Sequence, residues 1–109
     1  MKIEAKNSNI TFSGSGDNYT VDFGTIKKHT LAKTEIEIKG ENLTIQTFNT
    51  SCSCTKATTK KINKDQTDVE IQYKDTHIIS PFNKKLYLNI NEVTSDRRVT
   101  IEIKGNVTN

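Results

Sequence analysis

Two cysteines stand two residues apart in Thr50-Ser51-Cys52-Ser53-Cys54-Thr55, and the chain has no other thiol. A thiolate pair is the side-chain set here with the clearest chemistry, since it can ligate soft metals, form a disulfide or act as a nucleophile. In an extended strand, residues i and i+2 share a face with Cβ atoms roughly 6.5–7 Å apart, against about 3.8 Å across a disulfide. Cys52 and Cys54 therefore cannot bond each other unless the chain bends there. Three readings follow. Both can be small buried apolar side chains, a common use of free cysteine. They can hold a metal. Cu(I) accepts two thiolates alone, whereas zinc needs two further ligands, and only His29 and His77 offer imidazoles. They can also form a strained redox disulfide, although no Cys-x-x-Cys or helix N-terminus is at hand to depress a thiol pKa. Burial is the expectation. No metal site or cofactor is assigned, and Cys52 and Cys54 stay as a metal-binding alternative.

The elements that must position this run read as strands. Tyr19, Val21 and Phe23 alternate with Thr20 and Asp22, and Thr34, Ile36 and Ile38 alternate with charged residues. Leu43 and Ile45 follow Gly40-Glu41-Asn42, which reads as a hairpin turn. Val69, Ile71 and Tyr73 form another row. Phe82, Leu86, Leu88 and Ile90 share one parity, with Tyr87 outward, and Val99, Ile101 and Ile103 close the series. Period-two patterning bounded by turn residues, with alanine and methionine scarce, predicts about seven strands and no helix. The fold class is all-β, an immunoglobulin-like β-sandwich. Residues 1–18 are expected to be an N-terminal arm or extra edge strand with a flexible Ser/Gly linker, and residues 19–109 the sandwich. Lys56 to Gln66 reads as a solvated loop.

Composition narrows function. At 109 residues with net charge +3, the chain is one domain with a mild basic excess, carried by lysine far more than arginine. The lysine-rich run lacks the interleaved aromatic or arginine groups of a nucleic-acid surface, so no nucleic acid is expected. No apolar run is long enough to span a membrane, and Met1 to Asn7 lacks the apolar core of a leader. The expected location is virion or cytoplasm, with periplasm or cell surface as the alternative if a leader was removed. Carboxylates fall on outward strand positions rather than in pairs at loops, and no phosphate loop or nucleophile–histidine order is present. No enzyme activity and no small-molecule substrate are expected.

Four segments in order carry a family resemblance: Phe23-Gly24-Thr25-Ile26, Thr50-Ser51-Cys52-Ser53-Cys54-Thr55, Pro81-Phe82-Asn83-Lys84 and Ile103-Lys104-Gly105-Asn106-Val107. Together they resemble the Hydin-like immunoglobulin-fold modules, in particular a bacterial domain-of-unknown-function branch, over Tyr19 to Val107. The resemblance implies a seven-stranded, non-catalytic interaction module with no cofactor. The function expected is that of a structural module attached to a larger assembly through a protein partner, as an accessory protein decorating a virus or phage capsid. The alternatives are an exported adhesion module or a small Cys-x-Cys metal-binding protein.

Overall fold

The computed structural model describes residues 2–6, 10–49, 55–74, 76–93 and 95–109, with the backbone alone for 47–49. Nine strands run in order: β1 (Lys2–Ala5), β2 (Thr11–Ser15), β3 (Asn18–Lys27), β4 (Ala32–Lys39), β5 (Thr44–Asn49), β6 (Thr55–Asn63), β7 (Gln66–Tyr73), β8 (Pro81–Asn91) and β9 (Asp96–Thr108). They form two sheets packed face to face. One, sheet A, has the order β1-β4-β7-β6, and the other, sheet B, has β2-β3-β9-β8-β5. With β1 beside β4, β7 and β6 opposite β5, β8 and β9, this is the strand order of an immunoglobulin sandwich. Strand β3 runs parallel to β9, while the other paired strands are antiparallel.

Period-two patterning explains the core. Ile36, Ile38, Val69 and Ile71 from sheet A meet Val21, Leu86, Leu88, Ile90, Val99, Ile101 and Ile103 from sheet B, all fully buried. The expected rows fall on β3, β4, β7, β8 and β9 and, with Leu43 just before it, on β5, and their buried members point inward. The N-terminal segment does more than form one arm. Its two strands join different sheets of the same chain, β1 against β4 and β2 against β3. Ser13-Gly14-Ser15, expected to be linker, lies inside β2 and pairs with Asn18 to Thr20. Hydrogen bonding to β3 settles this segment, because its side chains carry no apolar pattern to read.

Two further expectations are corrected. Lys56 to Asn63 is strand, not loop. It forms an edge whose side chains are almost all exposed, so apolar alternation is missing while the backbone pairs with β7. The lysines suit an edge, where charge discourages pairing with another chain. The bend at Gly40-Glu41-Asn42 is not a hairpin either, because β4 and β5 belong to different sheets. Asn42 takes a positive φ of 49° there. The bend is tied to the β6–β7 turn by Gly40 N–H to Asp65 O at 2.9 Å and Leu43 N–H to Lys64 O at 2.8 Å.

One core position is imperfect. Thr34 is 2% exposed, and its Oγ1 has no hydrogen-bond partner among the described residues. Thr34→Val keeps the shape and removes an unsatisfied hydroxyl, so it is expected to add about 1 kcal/mol and raise Tm by roughly 4 °C. Thermal unfolding followed by circular dichroism measures this. A destabilised variant would mean that the hydroxyl is bonded.

Candidate functional site

The loops at one end of the sandwich expose aliphatic side chains. Residues 28–31 join β3 to β4, and residues 74–80 join β7 to β8. The two loops are cross-linked by His29 N–H to Thr76 O at 2.9 Å, and the C-terminal strand is held to both by Lys28 N–H to Thr108 O at 2.7 Å and Val107 N–H to Ser80 O at 3.0 Å. Leu31 is 58% exposed, Ile78 51% and Ile79 49%. Leu31 also borders a cleft lined by Ile10, Phe23 and Ile26. The cleft exists because β3 carries a bulge between Asp22 and Thr25, where Gly24 takes φ 68°. The bulge shifts parity, so Ile26 turns into the core after a half-buried Phe23.

The outer face of sheet A gathers charge that no single strand reveals. The β4–β7 register sets Glu35 opposite Glu70 and Glu37 opposite Asp68. Like charges directly opposite repel, and lysines offset them. Lys6 Nζ donates to Asp68 Oδ2 at 2.9 Å and lies 3.6 Å from Glu35, and Lys33 lies 3.5 Å from Glu70. Asp68 is 1% exposed and also accepts from Gln66 Nε2 at 3.2 Å. Burial pushes the Asp68 carboxyl up, but the hydrogen bonds from Lys6 and Gln66 and the Lys6 charge outweigh it and hold the carboxyl below its ordinary range. The same Asp68 bond raises Lys6. Lys6 thereby pins the segment that follows β1 to the centre of the sheet.

A depressed carboxyl contributes stability above its unfolded pKa and loses it as pH falls through the folded value. Asp68→Asn is therefore expected to cost about 1 kcal/mol at pH 7, a figure kept low because Lys6 is partly solvated. The gap between variant and native protein should close as pH drops through 3.8, the ordinary aspartate value, and below. Urea midpoints at pH 7, 5 and 3 check this. A gap that persists at pH 3 would show that Asp68 does not act through its charge.

The sequence-derived candidates are placed as follows. Cys52 and Cys54 lie outside the described residues, between the end of β5 and the start of β6. His29 and His77 are both exposed and come to the same end of the sandwich, His29 in a turn with φ 67°. Among the described residues no group of three His, Cys, Asp or Glu is placed to hold a metal ion. No described helix is long and apolar enough to cross a membrane. The facing carboxylates were missed because they are separated by more than thirty residues and become neighbours only through register. The exposed Leu31, Ile78 and Ile79 were also missed. They sit in loops, where the periodic reading gives no signal.

Fold and surfaces together define an immunoglobulin-like β-sandwich module. The sequence profile described as "Protein of unknown function (DUF1573)" matches residues 15–107, and the chain belongs to that family. No curated protein matches the chain at significant similarity. Among solved structures, an endo-fucoidan hydrolase of glycoside hydrolase family 107 is similar, with 11% identity and a TM-score of 0.53. The similarity covers 98% of this chain and 15% of that one. At that identity the likeness concerns the fold alone.

Proposed function

We propose that this chain is a non-enzymatic interaction module that attaches to a larger protein assembly, and that the assembly is a virus or phage capsid. The apolar end carries the reading. Three aliphatic side chains about half exposed or more, on loops held together by backbone hydrogen bonds, form a surface that gains by leaving water. The body measures 47 × 26 × 22 Å. An apolar end on an elongated sandwich suits a part that stands on a larger surface. The capsid assignment is an analogy at the level of fold. The immunoglobulin strand order, with its β3–β9 parallel pair, supports placing the family among the Hydin-like modules.

The test is recovery from the native source. The tagged chain should co-purify in fixed stoichiometry with a particle. A Leu31→Asp/Ile78→Asp variant should lose at least tenfold of that recovery with an unchanged urea midpoint, because both side chains are exposed. Recovery as free monomer alone would overturn the proposal, and recovery on the cell envelope would move the function to adhesion.

A further inference from the structure

Val93, at 62%, is the most exposed large hydrophobic side chain among the described residues. It stands in the turn between β8 and β9, which is closed by Glu92 N–H to Ser95 O at 2.8 Å. A turn held by its own backbone loses little freedom when its side chain is covered. Carboxylates surround the valine. Glu92 and Asp96 flank it in sequence, and Glu92 accepts a 3.4 Å hydrogen bond from the Glu41 N–H, which brings Glu41 alongside. The neighbouring β6–β7 turn adds one charge of each sign, Lys64 and Asp65. Lys2 and Lys39 reach this end on sheet A but are paired with Glu4 and Glu37.

The opposite end carries the complement. The cleft beside Leu31 holds about 360 Å³ between Ile10, Phe23, Ile26 and Leu31, with Lys27 also in its lining. Lys28 follows, and both lysines are exposed. Among the described residues no ion pair involves Lys27 or Lys28, nor Glu41, Glu92 or Asp96. The cleft lies where Thr25 to Lys27 pair with Asn106 to Thr108 at the end of β9, whereas the Val93 turn leads into the start of that strand. Its 13 residues span roughly 40 Å, so no copy can fill its own cleft.

We infer that the β8–β9 turn of one copy docks in the cleft beside Leu31 of a second copy. Val93 enters among Ile10, Phe23, Ile26 and Leu31, and the carboxylates around it face Lys27 and Lys28. An exposed apolar side chain whose matching pocket lies elsewhere on the same molecule makes a heterologous contact between copies. Opposite charge at the two halves sets the pairing, because cleft on cleft or turn on turn brings like charges together. The contact is smaller than a standard interface, so the association is weak and is favoured where copies are already gathered on a larger surface. The inference rests on reading the Leu31 end as a docking surface, and it names a second copy as the occupant of the cleft. Ile78 and Ile79 do not line that cleft and are left to the particle.

The test uses the purified full chain with no particle present. Diluting the ¹⁵N-labelled chain from about 1 mM to about 0.05 mM, a range suited to a contact of this size, should move the amide signals of Ile10, Phe23 to Leu31 and the Val93 turn together. Leu31→Asp blocks the cleft and Val93→Lys blocks the turn, both at exposed positions. Each variant alone should show no dependence on concentration. Mixed, they should bind, because each keeps the half that the other lacks. Unlabelled Leu31→Asp should shift the cleft residues of labelled Val93→Lys and leave its turn unmoved, and exchanging the label should reverse the pattern. Lys27→Glu/Lys28→Glu should weaken the native association at least tenfold. No shifts on dilution, shifts that persist in either variant alone, or a mixture that does not bind would each overturn the inference. If the purified chain shows no dilution shifts while Leu31→Asp/Ile78→Asp still loses recovery with the particle, this inference fails and the proposed docking end stands.

Discussion

Ile101→Ala is expected to lower the unfolding free energy by about 4 kcal/mol, near the upper end of the cost of truncating a buried isoleucine. Ile101 is 0% exposed on β9, the longest strand, and pairs with Tyr19 of β3 on one side and Leu86 of β8 on the other. The strand is hydrogen-bonded along both edges and capped by the opposite sheet. The surroundings therefore cannot collapse into the space left by the missing carbons, and the cavity term is kept almost whole. Domains of this size are stable by about 5–15 kcal/mol in total, so the variant should be close to unfolding at 37 °C. Ile101→Val should cost about 1 kcal/mol. Ile45→Ala, at a half-buried edge position, should cost less than half the Ile101 value. Urea midpoints for the three variants give the ordering. A loss under about 1.5 kcal/mol for Ile101→Ala would mean that the two sheets are not close-packed at β9.

The core was legible because its signal is local. Ile36 and Ile38, or Leu86, Leu88 and Ile90, declare their face by alternation, whatever strand they later pair with. What pairs with what was not legible. Gly40-Glu41-Asn42 turns the chain in the same way whether β5 returns beside β4 or crosses to the other sheet. The choice is made by contacts with Lys64 and Asp65, more than twenty residues away. β6 failed for a different reason. An edge strand overhanging the core needs no apolar row, so its lysines and threonines match a loop in composition while the backbone still completes the sheet.

The candidate surfaces divide along the same line. The lysines of β6 were visible in the sequence, but which face each takes depended on register, with Lys61 lining the cleft beside β5 and Lys60 set opposite Asp68. Glu35, Glu37 and Glu70 alternate with inward residues and were legible as outward-facing. Their convergence, and the burial of Asp68 beneath Lys6, come from register and from the path of the N-terminal segment. Surface chemistry in a sandwich is written across strands, and a single strand shows only one letter of it.

Gly105→Ala is expected to cost about 2–3 kcal/mol, although alanine for glycine in a strand ordinarily stabilises by about 0.5–1 kcal/mol. The reason is space. A Cβ at this position would lie 2.8 Å from Phe82 Cζ and 3.0 Å from the Gly24 carbonyl oxygen. The oxygen is fixed at the β3 bulge, so the ring must move. Phe82 is not a free side chain. It is 7% exposed and stacks on Tyr73 with ring centroids 3.8 Å apart and planes within 7°. Moving it forfeits the stack, worth about 0.5–1.5 kcal/mol, and forces repacking of the kind that costs about 1–3 kcal/mol. A double-mutant cycle isolates the clash. In a Phe82→Leu background the shorter side chain vacates the contact, so Gly105→Ala should there cost less than about 1 kcal/mol, a coupling of more than 1 kcal/mol. Near-UV circular dichroism should report the lost Tyr73–Phe82 packing in Gly105→Ala alone. Equal costs in the two backgrounds would trace the glycine requirement to the backbone or to Gly24, and remove Phe82 from the explanation.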